Sequence, residues 1–305
     1  MNLAAAYARD GYVAVPGLLG PSEIEALKAE ALAIATGGEV IGALPRGERS
    51  PEAAMAEVLA IHFPHKASRV VRAAMCHPAI VKILAALIGP DIKAMQTMLF
   101  VKAAGKPGQA WHQDEFFIPT RDRSLTGVWI ALDDATLGNG CLWFHPGSHR
   151  SGVLWRMQPH DDERFDLSEE AIGHPYEREG GVPVELAAGG VAFFNGYVLH
   201  RSLRNLAPSG YRRALVTHYM SARSPLPWSI GFPPVRRADY RDIELIAGED
   251  PYAWKGITDE SLPFVRLDDP SRTEALRASL LAEAKQRKDS SPSRRGPDAP
   301  RGASG

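Results

Sequence analysis

Cysteine is close to absent from this chain: Cys76 and Cys141 are the only two, at no metal-binding spacing. That excludes a disulfide-built scaffold and a cysteine zinc cluster, and a reducing compartment, the cytoplasm, is the expected location. Neither sign of charge is in excess. There are 35 Lys and Arg against 36 Asp and Glu, a net charge of −1, so no field draws nucleic acid or an anionic membrane surface. Long hydrophobic runs are missing too. The most apolar stretch, Ile80 to Gly89, is too short to span a bilayer and contains Lys82. Arg9, Asp10 and Pro16 interrupt the first residues, so no secretory leader is expected there. No Gly-rich phosphate loop stands at a strand-to-helix turn, which removes nucleotide-binding folds, and no internal repeat is visible. A small-molecule partner, not nucleic acid or membrane, is the remaining expectation.

What is present is a core and a change of texture. Apolar residues make up 45% of the 305 positions, ample for one substantial domain, expected over 1–284. The first ninety or so residues look helical. Pro21-Ser22-Glu23 opens a run with Ile24, Leu27, Ala31 and Ile34 at helical spacing, stopped by Gly37-Gly38. A second helix is expected from Pro78 to Gly89, and a short strand over Gly11–Pro16. From Asp91 the chain turns to short β-type segments punctuated by Gly, Pro, Asn and Asp. They are 92–101, 110–114, 127–132, 141–145, 182–186, 191–194, 198–203 and 213–220, a pattern that fits a sandwich or jelly roll and not alternating βαβ units. The long polar connection 147–181 carries Trp155, Met157 and Phe165 and reads as a lid; 285–305 is Ser/Pro/Arg/Gly-rich and reads as a disordered tail.

Within that β region lies Trp111-His112-Gln113-Asp114. Positions i and i+2 of a strand share a face, so the His112 imidazole and Asp114 carboxylate converge while Gln113 points away. His200, on a distant β-type run, is a candidate third ligand. Two imidazoles and a carboxylate form the facial set of the non-haem Fe(II) oxygenases. Other histidines (His62, His65, His77, His145, His149, His160, His174, His218) compete for the role. The guanidinium of Arg212 suits a dicarboxylate cosubstrate, because it pairs bidentately and stays charged.

In order and spacing, these residues resemble the phytanoyl-CoA dioxygenase family of Fe(II)- and 2-oxoglutarate-dependent oxygenases. The resemblance runs from Asp10-Gly11-Tyr12-Val13-Ala14-Val15-Pro16-Gly17 through Phe100-Val101-Lys102, the His112 motif and Pro146-Gly147-Ser148-His149. It ends with His200-Arg201-Ser202 and Arg212-Arg213-Ala214-Leu215. It implies a mainly β fold with flanking helices, the double-stranded β-helix or cupin-like jelly roll. It implies His112, Asp114 and His200 as iron ligands, 2-oxoglutarate as cosubstrate with O2, and hydroxylation of an unactivated carbon with release of succinate and CO2. Arg212 then partners the distal carboxylate, with Ser202 beside it. The family places this arginine eleven residues after the distal histidine; here it stands twelve after, consistent with an insertion in the Leu206–Tyr211 turn. Arg212 and Arg213 cannot both face inward, and the motif favours Arg212. Trp129 fits either the cosubstrate pocket or the core, and Gln96 either the cosubstrate or a cross-strand structural role. Lys102 is expected to be solvated or paired near the barrel mouth. Phe116, Phe117, Trp155, Met157 and Trp228 are candidates for an apolar substrate pocket. The retained Asp114 disfavours halogenation, whose enzymes carry a small residue there. Two alternatives stay open, a zinc-dependent enzyme on the same shell and a metal-binding jelly roll without oxygenase activity.

Overall fold

The computed structural model describes residues 2–279 except 38, 46, 48, 168, 225–242, 258–260, 270, 272, 273 and 277. The tail expected at 285–305 and Trp228 lie outside the described residues. In the N-terminal region, α1 (Leu3–Asp10), β1 (Tyr12–Val15), α2 (Pro21–Thr36), α3 (Pro51–Glu57), β2 (Val58–His62) and α4 (Pro64–Ala67) follow one another. They lead into α5 (Arg69–Met75), α6 (Pro78–Ile88), β3 (Ile92–Ala103), β4 (Gln109–His112), a single helical turn α7 (Asp114–Phe117) and β5 (Thr126–Ala131). Then come β6 (Leu142–Phe144), β7 (Arg156–Gln158), β8 (Glu170–Ile172), β9 (Val182–Val184), β10 (Val191–Asn195), β11 (His200–Ser202) and β12 (Tyr211–Ser221). The last strands are β13 (Glu244–Ala247) and β14 (Phe264–Leu267).

An eight-stranded sheet runs β1-β10-β5-β12-β3-β2-β14, with β13 also on β3, and a four-stranded sheet runs β4-β11-β6-β9. The pairings within both are antiparallel. This is the jelly roll expected, a mostly β structure with helices outside it. The helices cover one face of the larger sheet: Leu27, Ile34, Val71, Met75, Ile80 and Leu84 share a core with Leu99, Ile130, Phe193 and Leu215. Proline at the first turn opens α2, α3 and α6, where its missing N–H is harmless. Residues 69–88 are long and apolar enough to cross a bilayer by composition. The chain breaks there at Cys76-His77-Pro78 into α5 and α6, whose Val71, Met75, Ile80 and Leu84 join the core.

Three expectations need correction. The first ninety residues are not all helical: Val58-Leu-Ala-Ile-His62 extends and pairs with β3, because its Val and Ile fit a pleated surface. The strand expected to reach Asp114 stops at His112, and Asp114 begins α7. The connection 147–181 is ordered by the β7–β8 hairpin, and Trp155 and Met157 pack around Trp111, Ala171 and Leu199 on the outer side of β4 and β11, not in a substrate pocket.

His62, at the β2–β14 edge, stacks on Phe264 with centroids 4.3 Å apart. Burial, then the Arg266 charge, push its imidazole down to about 4. Between its ordinary 6.5 and about 4 the unfolded chain binds a proton that the folded chain refuses. Stability therefore falls as pH drops through that window. Melting temperatures at pH 7 and 4.5 should fall further for the wild type than for His62→Phe; equal falls would contradict the assignment.

Candidate active site

The inner face of the barrel collects side chains from β3, β4, β5, β11 and β12 around a cavity of about 280 Å3. In the smaller sheet His200 lies directly opposite His112 in the β4–β11 register. Their ring centroids are 4.1 Å apart. Gln113 keeps extended backbone, so the turn that follows still swings the Asp114 carboxylate toward both rings. Asp114 Oδ1 stands 3.7 Å from His112 Nε2 and 3.6 Å from His200 Nε2. One ligand atom from each of the three residues falls within 4.8 Å of the others, a spacing that admits one metal ion.

The rings are held in the tautomer a metal needs. His112 Nδ1 donates to the Ala110 carbonyl at 2.7 Å, and His200 Nδ1 to the Val198 carbonyl at 3.1 Å. Each ring's Nε2 is left with its lone pair facing Asp114. Burial, and then the neighbouring His112, push the His200 imidazole down to about 4. Burial alone would raise the Asp114 carboxyl, but His200, His218 and His112 around it hold it below the usual carboxylate range. Phe194 packs against His200 at 4.7 Å and Phe144 at 5.9 Å. Phe194 can approach because residue 127 is glycine: a Cβ there would lie 2.4 Å from the Phe194 ring.

Gln113 does point away, as alternation requires. Its amide donates to the carbonyls of Val153 at 2.9 Å and Tyr197 at 2.7 Å, and accepts from the Trp155 N–H at 2.9 Å. It thereby ties the start of the 147–181 segment to the turn before His200. Ser148, in the Pro146-Gly147-Ser148-His149 turn, accepts the Leu199 N–H at 2.9 Å and braces the same turn.

A second, cationic cluster occupies the other end of the cavity. Arg212 is buried with its guanidinium 5.4 Å from the Trp129 ring. Arg213 faces the opposite way and forks onto Asp133 at 2.8 and 2.7 Å. The choice between the two arginines falls to Arg212. Its Nε is buried without a partner, and among the described residues it has no ion pair with a carboxylate. Lys102 pairs across from it in the β3–β12 register. Of the two expectations for this lysine, solvated or paired, the solvated one fails: it is buried and donates to Ser202 Oγ at 2.9 Å and the Leu203 carbonyl at 2.6 Å. Burial, then the Arg212 charge, push the Lys102 amine well below its ordinary value. Burial also lowers Arg212 to about 10. Two buried basic groups that are register partners, with the Ser202 hydroxyl beside Lys102, are a donor set that fits the far carboxylate of a dicarboxylate reaching from the metal.

Gln96 lines the cavity but at its metal end, where its Nε2 lies 3.3 Å from His218 Nδ1. His218 is one of the competing histidines; it does not join the triad but contacts Asp114 Oδ2 at 2.9 Å. Lys102 and His218 are the two residues the sequence reading missed. For Lys102 the available signal was strand alternation, which puts it on the same face as Phe100. Of the proposed substrate aromatics, Phe117 lines the cavity, half exposed, and Phe116 sits edge-on to it at 5.3 Å.

Known proteins resemble this chain in sequence and in fold. The family model described as Phytanoyl-CoA dioxygenase (PhyH) matches residues 7–214. Phytanoyl-CoA dioxygenase 1 of Oryza sativa subsp. japonica is 40% identical over 129 residues, 41% of this chain and 43% of that protein. Phytanoyl-CoA dioxygenase domain-containing protein 1 of Rattus norvegicus is 36% identical over 178 residues, 56% of this chain and 59% of that protein. The matches thus span about half the length of these curated relatives. Among solved structures, the epimerase SnoN in complex with Fe3+, alpha ketoglutarate and nogalamycin RO gives a TM-score of 0.58 at 26% identity, covering 77% of this chain and 92% of that one. The non-heme monooxygenase ThoJ gives 0.62 at 24% identity, over 94% and 96%, a likeness in fold.

If Phe194 holds His200 in place through the space left at residue 127, Gly127→Ala should weaken Co(II) binding to the apoprotein by about tenfold, as loss of ligand support commonly does. Titration followed by visible absorption measures it; wild-type affinity would contradict the packing role.

Proposed function

The chain belongs to the phytanoyl-CoA dioxygenase family, and from that premise we propose that it is a non-haem Fe(II)- and 2-oxoglutarate-dependent oxygenase that hydroxylates a small molecule. The observation that carries the reading is the pairing, in one cavity, of a metal-competent triad with two buried basic side chains that have no carboxylate partner among the described residues. A zinc hydrolase uses a triad of this kind but has no task for Lys102 and Arg212. A jelly roll without catalysis has no reason to bear the cost of burying them.

His112, Asp114 and His200 would hold the iron. Together with O2 and the keto acid, the metal would supply the oxidising chemistry, coupled to release of succinate and CO2. The protein's own part is positional. Arg212 and Lys102 anchor the far carboxylate of the cosubstrate, Ser202 holds the Lys102 amine, and Trp129 supports the guanidinium. Phe144 and Phe194 keep water from the His200 side. The substrate enters past Phe117, a half-exposed cavity residue whose ring lies 6.5 Å from that of His112, so an apolar face on the substrate fits this entrance.

Anaerobic titration of Fe(II) and 2-oxoglutarate tests the reading through the visible charge-transfer band of a chelated keto acid. The band should form in wild type and be absent in His200→Ala. In Arg212→Ala half-saturation should need at least about thirtyfold more cosubstrate, because removing one member of a buried charge pair costs about 2 kcal/mol or more. Bound metal with no band in wild type would overturn the assignment.

A further inference from the structure

Asp114 has two oxygens in different surroundings. Oδ1 faces His112 Nε2 and His200 Nε2, at 3.7 and 3.6 Å. Oδ2 is 2.9 Å from Nε2 of His218, which is buried on β12. The other nitrogen of that ring, Nδ1, meets Gln96 Nε2 at 3.3 Å. An amide nitrogen only donates, so Nδ1 accepts, and the single proton of a neutral imidazole stands on Nε2, directed at Oδ2.

The strands are shaped to make this chain of contacts. Gln96 and His218 are register partners, and immediately beyond them the pairing moves to Ala94 and Tyr219, leaving Met95 as an extra residue. A bulge of this kind re-aims side chains beside a site. On the other side of β12, His218 pairs with Gly127. Gln96 and His218 both line the cavity.

We propose that Gln96 and His218 are positioning residues that hold Asp114 as a one-oxygen ligand. Gln96 fixes the His218 tautomer, and His218 occupies Oδ2, so that Asp114 offers the metal Oδ1 alone. This rests on the oxygenase reading, where each coordination position has a use: a carboxylate turned to bind through both oxygens would take one that the cosubstrate or O2 requires. The dyad makes no contact with the cosubstrate anchor at Lys102 and Arg212, which lies at the far end of the same strands.

The test uses Co(II) as probe in the apoprotein, reading affinity by titration and coordination number from the intensity of the visible bands. His218→Leu should bind Co(II) about 10–100-fold more weakly, as loss of a hydrogen-bonding partner to a ligand does, with an altered spectrum. His218→Gln, whose amide donates from a similar position, should restore both to near wild type. Gln96→Leu should give a smaller loss, about threefold or more, with its thermal unfolding unchanged. If His218→Leu does not fold, Gln96→Leu and His218→Gln decide. Wild-type affinity and spectrum in His218→Leu, or in Gln96→Leu when His218→Leu is unfolded, would overturn the proposal. Failure of the wild type to bind Co(II), or equal binding by His200→Ala, would instead sink the iron reading on which it rests.

Discussion

The pairing of β4 with β11, which sets His112 opposite His200, is the constraint on which the rest of the structure depends. Two imidazoles brought within 4.1 Å inside a barrel are tolerable only if both keep the same tautomer and share an anionic neighbour. The fold meets both conditions locally. Each ring donates backward to the carbonyl two residues earlier, and Asp114 arrives on the turn that ends the first strand. Around that core, Gln113 and Ser148 brace the turn preceding His200, and Phe194 closes over it through the space at Gly127.

The cavity is polarised along β3 and β12. Lys102 and Arg212 form one end; Gln96, His218 and Asp114 form the other; Phe100, Met98 and Val216 lie between them. Burial lowers both Lys102 and Arg212 from their ordinary values, and the Arg212 charge lowers Lys102 further. A carboxylate placed there would recover much of the cost of burying them. Selectivity for a dicarboxylate chelator therefore follows from the spacing of two ends on one pair of strands, one that takes a metal and one that takes an anion.

Much of this was legible in the sequence because the chemistry is carried by polar residues at fixed spacing in and beside short strands. His112, Asp114, His200 and Arg212 were singled out from their competitors by the order and spacing of the motifs around them, which resemble one family. Strand alternation required one of Arg212 and Arg213 to face outward, as Arg213 does to Asp133. The strands from 92 onward were bounded by Gly, Pro and Asn, and they fall close to the expected positions. The failures share a cause: burial depends on tertiary pairing, which local sequence does not encode. Lys102 looks like any lysine at a barrel rim until β12 is laid beside it. His218 is one histidine among ten until its strand is paired with Gln96. Trp155 and Met157 have the composition of a pocket, but the hairpin that carries them lands on the outer face of the small sheet. Val58–His62 sits among helices in sequence and is claimed by β3 in space.

The most direct measurement of the central claim is anomalous diffraction from crystals grown without oxygen in Mn(II) and 2-oxoglutarate. The account predicts one metal peak within about 2.0–2.3 Å of His112 Nε2, His200 Nε2 and Asp114 Oδ1, ordinary coordination lengths for such donors. It also predicts the far carboxylate of the keto acid between Arg212 and Lys102. A peak elsewhere, or a cosubstrate that leaves the Arg212 guanidinium unpaired, would contradict it.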